Sequence, residues 1–350
     1  MSEPEVITPR NNSFILGQEA AEETFLRAWK GNNMHHAWIL SGPKGVGKAT
    51  MAFRIARFLL SYDGEDKEKQ NSLNISENSN IFKQVAGGSH PDLLVVERDY
   101  IETDKRKLIA SIRKGEVLSP EDMAELKKSA FIRVDEIRKV NDFLAKTSFS
   151  EGWRVVIIDS ADDMNKSAAN ALLKILEEPP AKTVLLLISH NPGTLLATIR
   201  SRCAKLPLKR LSDNEVASLL RRYRSDLNEN MIAKLAELSE GSIGKAILYA
   251  DVDGPKIYND LAEIILRKRN FSLNKMLEFC EDVAADADKF SILPALFTKL
   301  LKENFSECQD KEALYNLWND SRKMFEDCDN INMEKRVMLI NLLNELCKVL

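Results

Sequence analysis

The feature that most constrains this chain is a glycine-rich segment, which reads Ser-Gly-Pro-Lys-Gly-Val-Gly-Lys-Ala over residues 41–49. It matches a phosphate-binding loop, in which backbone N–H groups wrap the phosphates, a lysine neutralises them and a Ser or Thr hydroxyl ligates magnesium. Ala49 stands at the position of that hydroxyl. Thr50 follows, but on a helix its side chain points about 100° away and cannot simply take over. The loop is therefore complete except for its metal ligand.

The residues of this loop predicted to bind phosphate are Gly42, Gly45, Gly47 and Lys48. Residues 36–40 form a short apolar run typical of a buried strand, and residues 49–60 repeat apolar side chains at helical spacing. Strand, loop and helix thus follow in the order that a nucleotide site requires. The alternative is a glycine turn that serves packing alone.

Three further apolar runs are predicted to be strands, at residues 91–97, 154–159 and 183–189. A helix is predicted over residues 166–178, ended by two prolines. Strands that alternate with helices form a parallel sheet, and such sheets bind ligands beyond the carboxyl ends of their strands. Lys48 and Asp159 are therefore expected at the same edge of an α/β fold.

The pattern changes to amphipathic helices without a strand signal from Leu211 onward. We therefore predict an α/β domain over residues 1–209, a small helical domain over 210–253 and a second helical domain over 254–350. Polar insertions are expected near residues 62–88 and 98–130. In the first, the asparagine-rich stretch 63–80 is expected to be a loop without a core. In the second, short helices are expected, and its lysines and arginines form either a solvated surface or a nucleic-acid contact.

The strand that ends in Asp159 carries the second half of the predicted nucleotide site. A carboxylate there lies near the magnesium of a phosphate-loop enzyme, and in ATPases of this layout a glutamate that polarises water usually follows. This chain has Ser160, whose hydroxyl cannot accept a proton at neutral pH without a partner base. Hydrolysis by this chain alone is therefore expected to be very weak. The alternatives are that Asp159 caps a turn, or that Thr50 and Asp162 replace the lost groups.

Two arginines, Arg200 and Arg202, end a short predicted helix after the strand 183–189. An arginine can bring a planar, permanently charged fork to developing phosphate charge, and from a neighbouring subunit it acts in trans. The alternative is a surface ion pair at a helix end.

The composition, with 44% hydrophobic and 29% charged residues, is that of an ordinary globular protein. A net charge of -3 excludes a strong overall electrostatic attraction to nucleic acid. No run approaches a membrane span and no signal peptide is recognised, so we expect a cytoplasmic protein. The five cysteines are scattered and suggest neither zinc nor disulfides.

Three more motifs connect the chain to a known family. They are Ser-His-Pro-Asp at 89–92, Ala-Ala-Asn-Ala-Leu-Leu-Lys-Ile-Leu-Glu-Glu-Pro-Pro at 168–180, and Ser-Arg-Cys at 201–203. Together with the phosphate loop they resemble the clamp-loader subunits of bacterial DNA polymerase III, which are AAA+ proteins, and among them the delta-prime family. The resemblance covers most of the first 210 residues, whereas the later helices match only in length and character.

The resemblance implies an AAA+ P-loop domain, a helical lid and an all-α collar domain. It implies that Arg202 is a finger that reaches the ATP site of an adjacent gamma or tau subunit. Lys174, Glu177 and Glu178 would lie on or near a subunit-facing helix, whose apolar stripe packs on the sheet. The implied partners are gamma/tau and delta in a hetero-pentamer, with the sliding clamp and primer–template DNA reached through the complex and no membrane.

Departures from the family pattern are also informative. Many relatives carry four cysteines between the first helix and the His-Pro-Asp motif, and this chain has none there, so neither zinc nor another metal is expected. The motor subunits carry an arginine in a Gly-Ser-x-Arg segment of the lid, where this chain has Gly-Ser-Ile-Gly at 241–244. No cofactor is expected to be required, and residual binding of ATP or ADP at the loop is left open.

The last predicted helix follows Asn332, a plausible cap. One apolar face is predicted on it, formed by Met333, Val337, Ile340, Leu343 and Leu346. This face serves either a subunit collar or the core of its own domain.

Three hypotheses about function follow. The first is an ATPase-silent AAA+ subunit that braces a clamp loader and lends Arg202 to a neighbour. The second is an active ATP-hydrolysing motor like gamma or tau. The third is an AAA+ scaffold outside replication, similar in fold alone.

Overall fold

A computed structural model describes residues 7–31, 34–62, 64, 67–114, 122, 126–146, 148–149, 152–266, 272–306, 308, 310–331 and 334–349. The chain divides into two compact units, residues 1–212 and 213–350. The finer division into three domains, with a boundary near residue 253, stays a prediction.

The first unit is built on a five-stranded parallel sheet whose order is β2-β3-β4-β1-β5. Its strands are β1 (Ala37–Ser41), β2 (Leu93–Val96), β3 (Arg154–Asp159), β4 (Thr183–Ser189) and β5 (Ala204–Pro207). The three central strands are almost continuously apolar because both of their faces are buried. Their carboxyl ends all lie at one edge, which we call the carboxyl edge, and their starts lie at the opposite amino edge.

Helices cover both faces of this sheet. The helices of this unit are α1 (Glu19–Lys30), α2 (Lys48–Ser61), α3 (Asn80–Ala86), α4 (Glu102–Lys114), α5 (Val134–Ala145), α6 (Lys166–Glu177) and α7 (Ala197–Arg200). One core cluster joins α1 and α2 to Val155 and Ile157 of β3, and the other joins α5 and α6 to Val156 and Ile158. The alternation follows from the two-residue period of a strand, which sends successive side chains to opposite faces.

The predicted α/β fold and parallel sheet are confirmed, and β3 and β4 have the predicted bounds. The loop expected over residues 63–80 is wrong in one respect, because the side chain of Leu73 is fully buried in the core. Its backbone N–H donates to Glu22 on α1 at 2.9 Å. A sequence window that is polar on average can still contribute a single apolar anchor.

The charged span 98–128, predicted to hold short helices, contains the 13-residue helix α4, and Asp122 is helical as well. Residues 115–121 and 123–125 lie outside the described part. Several basic side chains here pair with local carboxylates, such as Lys105 with Asp99 at 2.5 Å and Lys128 with Glu97 at 2.7 Å. These pairs favour the solvated-surface interpretation over a nucleic-acid contact.

The described residues of the second unit form helices and no strand. They are α8 (Asp213–Tyr223), α9 (Glu229–Leu238), α10 (Ile243–Asp251), α11 (Gly254–Leu266), α12 (Leu273–Ala285), α13 (Ala287–Asn304), α14 (Lys311–Ile331) and α15 (Lys335–Val349). Side chains cap several of these helices, and Ser242 accepts the backbone N–H of Lys245 at the start of α10. Within the described ranges, no helix has the length and apolar character needed to cross a membrane.

The apolar face predicted for the last helix is partly wrong. Asn332 and Met333 lie outside the described residues, and Val337 is 46% exposed. The buried face of α15 instead consists of Met338, Leu339, Leu342, Leu343 and Leu346. Because apolar residues occupy most of this helix's circumference, their spacing does not single out one face.

Candidate functional site

The phosphate loop connects β1 to α2 and depends on glycine at three positions. Gly42, Gly45 and Gly47 have φ values of 149°, 80° and 98°, which side chains rarely tolerate. At Gly42 a Cβ would also lie 2.4 Å from the backbone oxygen of Leu208, which directly follows β5, so the loop passes too close to this backbone for any side chain at position 42. The predicted loop residues are therefore brought together at the carboxyl edge.

Lys48 begins α2 and is turned back onto the loop. Its side chain is buried, and Nζ donates to the carbonyl oxygens of Gly42 and Pro43 at 2.6 Å each. Burial lowers its pKa to about 8, an effect that the nearby carboxylates of Asp159 and Asp162 oppose. The ammonium of Lys48 is thus held by its own loop.

Asp159 ends β3 and, as predicted, lies close enough to Lys48 for their charges to interact. Burial raises the pKa of Asp159, while the His190 imidazole, the Ser160 hydroxyl and Lys48 act in the opposite direction. The Ser160 hydroxyl donates to Asp159 Oδ1 at 3.3 Å. Asp159 therefore lies at the same edge of the sheet as the loop, as the sequence analysis expected.

Ser160 does not stand alone, contrary to the sequence analysis. Its Oγ lies 2.9 Å from Nε2 of His190, the residue that directly follows β4. Burial, and next the charge of Lys48, lower the pKa of His190, which keeps the imidazole neutral at pH 7. Ser160 therefore does have a partner base, because a neutral imidazole lies within hydrogen-bonding distance.

The other candidate replacements have structural contacts. Asp162 accepts from the Ser189 hydroxyl at 2.7 Å, from the Thr194 hydroxyl at 3.3 Å and from the backbone N–H of His190. Thr50 is buried in α2, and Ala49 packs against the apolar core. Asp162 thus ties the end of β4 to the turn after β3.

Arg202 lies at the amino edge, between α7 and β5. Ile199 and Cys203, on either side of it, are buried in the core, and its backbone N–H donates to Ile199 O at 3.1 Å. Its Nη2 pairs with Glu177 Oε1 at 2.8 Å, and its Nη1 donates to Thr198 O at 3.1 Å. The backbone is fixed, while 36% of the side chain remains exposed.

The register of β1 and β5 gives the distance between the phosphate loop at the carboxyl edge and Arg202 at the amino edge. Trp38 pairs with Ala204 near the amino edge, and Ser41 pairs with Pro207 at the carboxyl edge. Three residue steps of a strand span about 10 Å, before the offsets of Gly42 and Arg202 beyond the strand ends are added. The structure therefore brings Lys48, Asp159, Ser160 and His190 together but keeps Arg202 away from them.

Two of these contacts were not predicted from the sequence, that of His190 with Ser160 and that of Glu177 with Arg202. Glu177 was assigned only to a subunit-facing helix, and His190 was not assigned at all. A signal for His190 exists, because it follows one strand as Ser160 follows a neighbouring one, and the ends of adjacent parallel strands lie side by side. Among the described residues, no group of three or more His, Cys, Asp or Glu could hold a metal ion.

Comparison with known proteins gives a family match and several relatives. The sequence model described as "DNA polymerase III, delta subunit" matches residues 17–212. DNA polymerase III subunit delta' of Pseudomonas aeruginosa is 35% identical over 170 residues, which are 49% of this chain and 42% of that protein. The subunit delta' of Bacillus subtilis is 29% identical over 217 residues, 59% of this chain and 55% of that protein.

Among solved structures, a gamma subunit-related protein of Thermotoga maritima aligns with 93% of this chain and 98% of its own, at 16% identity and a TM-score of 0.42. The chain spans about half the length of the curated relatives that it matches. Since the family model covers more than half of the chain, the chain belongs to the DNA polymerase III delta-subunit family, with delta-prime clamp-loader subunits among its relatives.

Proposed function

We propose that this chain is an ATPase-silent AAA+ subunit that supports sliding-clamp loading in DNA replication and supplies Arg202 as a trans arginine finger. Its own phosphate loop would bind ATP or ADP weakly, or would hold the nucleotide as a structural ligand. The residues of this site would be Gly42, Gly45, Gly47, Lys48 and Asp159. The missing hydroxyl at Ala49 supports this, because magnesium loses a ligand that active phosphate-loop enzymes use.

The observation that carries the proposal is the location of Arg202 at the edge of the sheet opposite to its own loop. An arginine side chain reaches about 7 Å and a strand advances about 3.3 Å per residue, so Arg202 cannot reach the phosphates of its own chain. A second subunit packed on the amino edge would bring a triphosphate to it. The guanidinium would then neutralise charge that develops on the transferred phosphoryl group.

The proposed partners follow from the relatives. DNA polymerase III delta' and gamma subunits are similar to this chain, so we propose gamma/tau and delta as its neighbours in a hetero-pentamer. The sliding clamp and primer–template DNA would be reached through that complex, in the cytoplasm. Residues 210–253 would act as the lid and residues 254–350 as the collar, with no cofactor or zinc required by this chain.

The experiment uses a clamp loader reconstituted with its natural partners, in which all ATP sites except the one adjoining this chain carry an inactivating phosphate-loop lysine substitution. Arg202→Ala is expected to lower DNA-stimulated turnover at least about a hundredfold, because arginine fingers contribute about 10³–10⁵ in comparable sites. Arg200→Ala is the matched control, since Arg200 is an exposed arginine at the end of α7, two residues before Arg202. Undiminished turnover with Arg202→Ala would refute the proposal.

A second candidate function, an active ATPase, is favoured by one observation. His190 lies 2.9 Å from Ser160 Oγ and its pKa is lowered, so the pair could relay a proton from water to the imidazole. Asp162 does not share in this role, because Ser189 and the backbone of His190 already bind it.

Steady ATP turnover by the purified chain tests this candidate. An active site would give turnover that is abolished by Lys48→Ala and reduced at least about a hundredfold by His190→Ala, the lower end of the usual contribution of a general base. His35→Ala is the control, because His35 lies two residues before β1, at the end of that strand opposite to the loop. No turnover above the Lys48→Ala background excludes the second function and leaves the first.

A further inference from the structure

Glu177 is the only described side chain that pairs with the Arg202 guanidinium. Oε1 of Glu177 accepts from Arg202 Nη2 at 2.8 Å, while the backbone oxygen of Thr198 accepts from Nη1 at 3.1 Å. The two acceptors sit on different elements, the last residue of α6 and the short helix α7. One guanidinium is therefore held from two directions.

Both acceptors have rigid supports. The residues before Glu177, Ile175 and Leu176, are buried in the core, and Leu176 O lies 3.0 Å from the ring nitrogen of His36. Ile199, next to Thr198, is fully buried. The end of α6 and the turn of α7 are thus fixed to the sheet, so the pair defines where the guanidinium lies relative to the amino edge.

Holding the guanidinium in place matters more for arginine than for most residues, because its side chain is long and has many rotamers. The entropy of this freedom is lost when the guanidinium is immobilised on a phosphate. Two of its five N–H groups are used by Glu177 and Thr198, so three remain for phosphate oxygens. A guanidinium that is already oriented loses less entropy in the transition state.

We propose that Glu177 is a positioning residue for Arg202: it orients the guanidinium for the triphosphate of a neighbouring subunit without touching that triphosphate. This inference rests on the trans-finger role proposed above. It explains why an acid with 50% of its side chain exposed ends α6 beside the arginine, where an exposed ion pair contributes little to stability.

The experiment uses the same reconstituted loader with a single active site. Glu177→Ala is expected to lower kcat about tenfold with KM for ATP unchanged, because orientation of a catalytic group acts on the transition state. Glu177→Gln keeps an oxygen acceptor and is expected to recover most of the rate. In an Arg202→Ala background, Glu177→Ala is expected to change nothing further, since the residue that it orients is gone.

Glu229→Ala is the matched control, because it breaks an exposed Glu–Arg pair at a similar distance, 2.7 Å to Arg221, in the second unit. It is expected to leave turnover unchanged. Thermal unfolding of each variant checks that the fold is intact.

The outcomes separate the two proposals. If Arg202→Ala lowers turnover and Glu177→Ala does not, the positioning role is overturned and the trans finger stands. If neither variant lowers turnover, both fail. An increase in turnover, a change confined to KM, or an equal loss from Glu177→Ala in the Arg202→Ala background also overturns the positioning role, because each assigns Glu177 another effect.

Discussion

The carboxyl and amino edges of the same sheet hold their charged groups in opposite ways. At the carboxyl edge Lys48 is 3% exposed and donates both of its described hydrogen bonds to its own loop. At the amino edge the Arg202 side chain is 36% exposed, and its ion-pair partner Glu177 is 50% exposed. The Lys48 ammonium thus has its hydrogen-bond acceptors inside the fold, whereas the Arg202 guanidinium is oriented by Glu177 but remains accessible.

This difference predicts that substitutions at the carboxyl edge affect the stability of the fold, whereas substitutions at the amino edge affect the proposed activity on a neighbouring subunit. The buried arrangement at the carboxyl edge should respond to substitution through stability, because backbone and buried polar groups lose their partners. The exposed pair at the amino edge should leave stability almost unchanged and act only on a neighbour. Four predictions test the contrast, from the largest expected effect on folding to the smallest.

Gly42→Ala should cost the most. Its φ of 149° is unfavourable for alanine, and the added Cβ would meet the Leu208 backbone oxygen at 2.4 Å. Because that neighbour is backbone and cannot rotate away, we expect the free energy of unfolding to fall by about 3 kcal/mol. Gly47→Ala is the control for backbone strain without a clash, since its nearest contact is Ile15 at 3.7 Å, and about 1 kcal/mol is expected. Equal losses in urea unfolding would contradict this account.

Asp162→Ala should destabilise the first unit by about 2 kcal/mol, because it leaves a fully buried Ser189 hydroxyl without its acceptor and removes the bond to the His190 backbone. Asp163→Ala is the comparison, since Asp163 pairs with Arg98 at 3.3 Å in an exposed position and should cost about 0.5 kcal/mol or less. If the two variants unfold alike in urea, Asp162 has no special structural role.

The buried ammonium of Lys48 should make stability depend on pH. Its folded pKa of about 8 lies below its ordinary value of 10.5, so between these values the unfolded chain binds more protons than the folded one. The free energy of unfolding should therefore gain a rising contribution as pH increases from about 8 towards 10, and none below pH 8.

Lys48→Met removes that contribution, so the curves of wild type and variant should diverge above about pH 8 in favour of the wild type. Lys44→Met, at an exposed position of the same loop, should change the slope far less, because the charge of Lys44 is the smallest of the influences on the pKa of Lys48. Parallel curves for the wild type and Lys48→Met would show that the ammonium of Lys48 is not buried in solution.

Arg202→Ala should change the free energy of unfolding least, by about 0.5 kcal/mol or less, because it removes an exposed ion pair and one bond to a backbone oxygen. A differential scanning measurement on the isolated chain checks this. A loss comparable to that of Asp162→Ala would mean that the amino edge depends on the pair for folding, and the contrast between the edges would disappear.

Much of the fold could be predicted from the sequence, for identifiable reasons. β3 and β4 are apolar along their length because both faces are covered, so their bounds are visible without a structure. The short edge strand β5 reads Ala-Lys-Leu-Pro, with one buried residue, and gave no comparable signal. The helix α1 was also missed, although its buried Phe25 and Trp29 are spaced one turn apart.

The site divides in the same way. The identities of Ala49, Asp159 and Arg202 follow from local motifs, in which loop, strand end and helix end succeed one another at short spacing. The contact of Ser160 with His190 joins residues 30 apart, and that of Arg202 with Glu177 joins residues 25 apart. The sequence shows only that Ser160 and His190 each follow a predicted strand, whereas the contacts themselves depend on which strands and helices are neighbours in the fold.

The sequence by itself determined that a phosphate loop is present, that Ala49 replaces the Ser or Thr whose hydroxyl ligates magnesium, and that an arginine follows a later short helix. These are properties of residue identity at fixed spacing. Only the tertiary structure decided that Lys48 binds its own loop, that His190 stands beside Ser160 and that Glu177 holds Arg202 at the opposite edge. Hydrogen bonds and ion pairs require contact within about 3 Å, and strand order brings distant residues that close.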